Sequence, residues 1–183
     1  MRSVTALAPP ASLFASFLLS AAMVAGAPAR ARAQAPISLL PAGEPGTPLQ
    51  VDGRILGSAG PIGNAALYVY QTDATGIYSN AERDDNTKPR LKARFTTDAQ
   101  GRFAFSTIMP GQYPRSGPPA HIHVEVTPQG RAMQQFEVVF EGDSRMTDGI
   151  RADAKAGKFY VLCTPAAGAG GSKLCENVTF RLQ

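Results

Sequence analysis

An all-β sandwich is the fold this sequence predicts, and three observations predict it. Apolar and polar residues alternate with a period of two in short runs, as in 65–71 (AALYVYQ) and 102–108 (RFAFSTI). Turn-forming clusters separate those runs, drawing on 18 Gly and 15 Pro among 183 residues. Helical spacing is scarce: one short helix is expected within 144–158, and the chain shows no repeats and no coiled-coil heptads. Many short strands with long loops and little helix must close on one shared core, and a single-domain sandwich does so.

Taken in order, residues 1–35 read as a secretory signal peptide, not as part of the fold. Arg2 supplies the positive start, 11–27 is uncharged and rich in Ala, Leu, Phe, Met and Val, and Ala31-Arg32-Ala33 and Ala33-Gln34-Ala35 offer cleavage sites. The rival reading, a retained membrane anchor, has an apolar run at the short end for a span. The mature protein is therefore expected outside the cytoplasm, secreted or periplasmic, with no stable membrane insertion after processing. Removing Arg2, Arg30 and Arg32 leaves 15 basic against 14 acidic residues, so the formal charge falls from +4 to about +1. With no basic cluster interleaved with aromatics either, nucleic acid is not an expected partner. Oligomerisation stays open.

Residues 36–48 hold Pro41, Pro45 and Pro48 and read as an extended leader; the domain is expected over 49–183. Leu49, Val51 and Ile55 mark a first strand, interrupted at Asp52-Gly53, and 58–64 forms a Gly-rich turn before the strand 65–71. The segment 79–90 (SNAERDDNTKPR) is polar and non-periodic, hence a surface loop. Strands follow at 91–96 and 102–108 around a turn at 97–101, then at 121–127, 134–140, 159–163 and 178–182. Cys163 and Cys175 are the only cysteines. In an oxidising compartment they are expected to pair across the Gly-rich run 166–171, which stabilises by roughly 3 kcal/mol in the chain-entropy model.

The chemistry concentrates in 108–126 (IMPGQYPRSGPPAHIHVEV), which holds both histidines of the chain, His121 and His123. On a strand these two share a face, and two imidazoles on one face can ligate one metal ion. Glu125 shares that face as well, so a ferrous site of two histidines and a carboxylate is one reading. Upstream stand Thr75-Gly76-Ile77-Tyr78 and Pro110-Gly111-Gln112-Tyr113-Pro114. With Pro119-Ala120-His121-Ile122-His123, these pieces form an ordered pattern that resembles the intradiol ring-cleavage dioxygenases, over roughly residue 49 to the C-terminus.

That resemblance implies a β-sandwich holding non-haem Fe(III), with a catechol-type substrate and O2 as partners and a ring-opened product. It implies Tyr78, Tyr113, His121 and His123 as the metal ligands, with Tyr113 the phenolate that departs and takes a catechol proton. The electrostatics agree: a phenol with a reference pKa near 10 ionises at neutral pH only beside a strong cation. Two positions depart from the family. Pro118 stands where an arginine usually precedes P-A-H, and Arg115 is the expected substitute as a catalytic residue. Glu137 falls where the family tends to carry glutamine. From another class altogether, an exported binding module sharing the fold also fits the D-x-x-G-x-F-x-F hairpin at 98–105.

Overall fold

Two sheets pack face to face in the computed structural model of the chain, which describes residues 36–81 and 84–183. The signal peptide read in 1–35 lies outside the described residues. In the first sheet β1 (Ile37–Ser38), β6 (Arg102–Ile108), β2 (Pro48–Gly57), β11 (Lys173–Arg181) and β10 (Ala166–Ala167) run side by side. The short β3 (Gly60–Pro61) folds back on β2. In the second, the order is β5 (Leu91–Thr96), β4 (Ala66–Gln71), β7 (His121–Thr127), β8 (Gln134–Phe140) and β9 (Tyr160–Cys163). The helix α1 (Asp148–Lys155) joins β8 to its parallel neighbour β9. Thr147 caps it by accepting from the Ile150 amide, and Asp148 complements the first-turn dipole.

The alternation read from the sequence sets which face is which. Leu67 and Val69 of β4, Ile122, Val124 and Val126 of β7, and Phe136, Val138 and Phe140 of β8 point into the sandwich. They meet Leu49, Val51, Ile55, Phe103, Phe105, Val178 and Phe180 of the first sheet. Phe103 stacks on Phe105 and Phe180 at 6.2 and 5.5 Å between ring centroids. Burying each such ring contributes about 1.5–3 kcal/mol.

Several elements differ from the sequence reading. The first strand is not broken at Asp52-Gly53: β2 runs through, paired with β6 and β11 on either side, and Gly53 makes room there for the Val178 carbonyl and the Phe103 ring, with which an added Cβ would collide. The last strand starts earlier, at Lys173, and a bulge between Cys175 and Val178 lets it bend, with Asn177 at φ 59°. Ile37–Ser38 of the leader pairs in parallel with β6, and Leu39 is buried. The short helix expected within 144–158 is α1, Asp148–Lys155. Cys163 and Cys175 do form a disulfide, and it ties β9 of one sheet to β11 of the other. Gln71 makes a second inter-sheet tie: its amide donates to the Thr72 and Ile108 carbonyls and accepts from the Thr107 hydroxyl.

Candidate metal centre

With Ile122 and Val124 facing the core, His121 and His123 necessarily stand on the outer face of the second sheet. The register places a continuous row there, Lys92–Tyr70–His123–Glu137–Tyr160, one residue from each of the five strands. Tyr70 stacks on the His123 imidazole at 4.5 Å and 15° between planes, and Tyr68 stacks on Tyr70 at 5.1 Å. The Arg94 guanidinium closes this ladder, 3.8 Å above the Tyr68 ring.

The two tyrosine-bearing turns are built against each other, and their glycines make that possible. A Cβ on Gly111 would come within 2.5 Å of the Ala74 carbonyl and the Gly76 amide. One on Gly76 would collide with the Gln112 carbonyl, and Gly76 also has φ +87°. Asp73 knots the pair: its carbonyl accepts from the Gly76 and Gly111 amides, and its carboxylate accepts from Thr75, Ile77 and Arg90. These hydrogen bonds hold the Asp73 carboxyl below the usual range despite its partial burial. Tyr78 is fixed by its neighbours in the polar loop: Asp84 accepts from the Tyr78 and Ser79 amides, and the Arg90 amide donates to the Tyr78 carbonyl.

These supports bring four donor atoms to one point. Tyr78 Oη lies 2.7 Å from Tyr113 Oη, 2.8 Å from His123 Nε2 and 3.5 Å from His121 Nε2. His121 Nε2 lies 3.1 Å from both Tyr113 Oη and His123 Nε2. Donors bound about 2.1 Å from one first-row ion stand roughly 3 Å apart, so the spacing suits such an ion. The tautomers suit it too. His121 Nδ1 donates to the Pro119 carbonyl at 2.7 Å, which leaves its Nε2 lone pair free. Burial, then the neighbouring His121, pushes His123 down to about 4, so it is neutral at pH 7.

The phenols carry the complementary signal. Burial and the shared hydrogen bond with Tyr113 raise Tyr78 far above the ordinary phenol range; burial raises Tyr113 also. The protein alone therefore keeps both as phenols, and only a multivalent cation would make them anions. Tyr78 is 3% exposed whereas Tyr113 is half-buried, so Tyr113 has the freer oxygen.

Arg115 makes no contact with the four donor atoms. It is exposed, its carbonyl accepts from Arg145, and its guanidinium has no hydrogen bond or ion pair among the described residues. Arg145, not singled out in the sequence, also donates to the Tyr113 carbonyl. Beside it Asp143 accepts from the Gln112 side chain and from the Ala120 and Arg145 amides, so one carboxylate joins the Tyr113 and His121 loops. Glu125 is not the carboxylate of the histidine pair; it faces Tyr68 and Arg94 along the sheet. Glu137 is. Its Oε1 lies 3.5 Å from His123 Nδ1 and 4.0 Å from His121 Nε2, and the three side chains offer donor atoms within 4.8 Å of one another. Because His123 is neutral, this contact is not an ion pair, and burial raises the Glu137 carboxyl.

A family model described as Dioxygenase matches residues 24–183. The dioxygenase domain of a dioxygenase carbohydrate-binding protein fusion from Streptomyces sp. SirexAA-E aligns at 30% identity with a TM-score of 0.62. The match covers 81% of this chain and 88% of that one. The 3-chlorocatechol 1,2-dioxygenase of Rhodococcus opacus 1CP shares the fold, with a TM-score of 0.57 at 19% identity over 81% of this chain and 65% of its own. The protocatechuate 3,4-dioxygenase beta chain of Burkholderia cepacia is 38% identical over 92 residues, 44% of this chain and 39% of that protein. The chlorocatechol 1,2-dioxygenase of Pseudomonas sp. (strain P51) is 27% identical over 146 residues, 70% and 56% of the two. This chain thus spans between about a third and just over half of the curated relatives it matches.

Proposed function

Since the chain belongs to the intradiol ring-cleavage dioxygenase family, we propose that it is an exported non-haem iron enzyme that opens catechol-type rings with O2. The observation that carries this reading is the cluster itself. Each of the four donor atoms, on Tyr78, Tyr113, His121 and His123, lies within 3.5 Å of at least two others. Two neutral imidazoles and two phenols ready to ionise beside a cation make a donor set for ferric iron. When bound, that ion supplies the Lewis acidity that ionises both phenols and the catechol and makes the ring reactive toward O2.

The chain's own residues supply the rest. His121, oriented by the Pro119 carbonyl, and His123, wedged between the Tyr70 ring and Glu137, would hold the ion from one strand. Tyr78, the deeply buried phenol, stays in place. Tyr113, half-buried on its glycine-braced turn, would be the phenolate that accepts a catechol proton at Oη. Export is supported by the signal-like 1–35 segment and by the disulfide, which persists in oxidising compartments.

A second reading has one observation behind it: His121, His123 and Glu137 also suit a divalent ion without the tyrosines. Colour separates the two. Iron-loaded protein should show an intense visible phenolate-to-iron band, and Tyr78→Phe should shift or weaken it. A colourless iron protein, unchanged by that substitution, would favour the divalent site and sink the ferric reading.

A further inference from the structure

The proline-rich leader 36–48 carries a carboxylate that reaches the supports of the metal centre. The Glu44 side chain is only 6% exposed. Its Oε2 accepts from Arg90 Nη1 at 2.8 Å and its Oε1 from Arg90 Nη2 at 3.0 Å. A two-pronged pair of this kind fixes the plane of the guanidinium as well as its distance. Arg90 Nη2 also donates to Asp73 Oδ2 at 3.1 Å, so one cation joins the leader to the residue that knots the two tyrosine turns. The backbone of Arg90 completes the link, its amide donating to the Tyr78 carbonyl at 2.8 Å. From the other side Asp73 Oδ1 accepts from the Thr75 and Ile77 amides at 2.8 and 3.1 Å, just ahead of Tyr78. Tyr78 is thus gripped before and after, and both grips share the Arg90 side chain. That side chain is 24% exposed, and with Asp73 as its only partner it would keep much of its rotamer freedom. Glu44 removes that freedom.

The leader is itself anchored, which makes Glu44 a fixed point. Ile37–Ser38 pair with β6, and Leu39 is buried with its amide donating to the Ser106 carbonyl at 3.0 Å. Gly46 lies so close to Ile108 that an added Cβ would come within 2.7 Å of that side chain. The Thr47 carbonyl accepts from the Met109 amide at 2.8 Å, directly before Pro110-Gly111-Gln112-Tyr113. The leader therefore meets the supports of both tyrosines, through Glu44 on one side and Thr47 on the other.

We propose that Glu44 is a positioning residue of the metal centre: by holding Arg90 on Asp73 it sets where the Tyr78 hydroxyl stands in the donor cluster. This rests on the ferric reading above. The test loads the purified protein with ferric iron and compares the parent with Glu44→Gln, Arg90→Met and the double variant. Two readouts are taken, the iron Kd by competition with a chelator and the position of the visible phenolate band. Phe103→Leu, in the core of the first sheet, controls for stability lost away from the site. Glu44→Gln should raise the iron Kd about tenfold and shift the band. Phe103→Leu should keep both although it unfolds at lower urea. Because Glu44 acts through Arg90, the double variant should bind iron no more weakly than Arg90→Met alone. A Glu44→Gln protein with the parent's Kd and band makes this carboxylate merely structural and overturns the proposal. Losses that multiply in the double variant overturn it too, as does a Phe103→Leu protein whose band shifts as far. All three leave the ferric reading intact. A parent protein that binds iron without a visible band ends the ferric reading, and this proposal falls with it.

Discussion

Replacing Asp143 by alanine should loosen two ligand-bearing loops at once. Its carboxylate accepts at 2.7 Å from the Gln112 side chain, one residue before Tyr113, and at 3.1 Å from the Ala120 amide, one residue before His121. It also accepts at 2.8 Å from the Arg145 amide, which sets the turn that carries the Arg145 clamp on the Tyr113 carbonyl. Each such bond contributes about 1 kcal/mol net, and the charge adds to it while partial exposure subtracts. Losing three should cost about 2–3 kcal/mol, or roughly 5–10 °C in Tm for a domain of this size. The larger effect is on the site. The tips of Tyr113 and His121, now 3.1 Å apart, lose their common anchor, and iron affinity should fall about 10–100-fold. Urea denaturation of metal-free protein measures the first effect and competition with a chelator the second. Asp143→Ala within about 0.5 kcal/mol of the parent and with undiminished iron affinity would refute the idea that this carboxylate positions the centre.

Three further outcomes can be measured. His123 is pushed down to about 4 by burial, so between about pH 6.5 and 4 the unfolded chain binds the proton that the native one refuses, and stability falls as pH falls through that window. Glu137, pushed up by burial, acts in the opposite sense as pH rises above the ordinary carboxylate range. Metal-free Glu137→Gln should therefore lose stability on acidification more steeply than the parent in urea titrations; equal slopes would contradict the opposition. Protein isolated from its native compartment should begin between Ala33 and Pro36 by mass spectrometry and contain no free thiol. Reducing Cys163–Cys175, which closes a loop over a sequence separation of 12, should cost roughly 3 kcal/mol, and a denaturation midpoint indifferent to reductant would contradict that.

What this sequence determines by itself is what depends on local order: alternation, turn chemistry and motif spacing. Period two in 65–71, 102–108 and 121–127 assigns faces without any knowledge of neighbours, so the shared face of His121 and His123 was legible before the fold, and the packing of Ile122 and Val124 then decided that it is the outer one. The Cys pair was legible because two cysteines have one possible partner each. The glycines of Thr75-Gly76-Ile77-Tyr78 and Pro110-Gly111-Gln112-Tyr113 were legible as motif, but their reason was not: each makes room for the backbone of the other turn, 35 residues away.

Only the tertiary structure decided which polar residues meet. Glu125 and Glu137 look alike in sequence, and Glu125 is nearer the histidines along the chain. Strand pairing nonetheless sets Glu137 opposite His123 and sends Glu125 two residues farther along the sheet. Arg115 lies close to Tyr113 in sequence and is turned out to solvent, whereas Arg145, 32 residues away, grips the Tyr113 carbonyl. Asp84, Asp73 and Asp143 likewise read as loop residues until their amide partners are known. The physical reason is one of range. Face and turn follow from the sterics of a few neighbouring residues, but a hydrogen bond or a charge contact is satisfied by whatever the closed chain brings within about 3 Å, and strand order alone sets that.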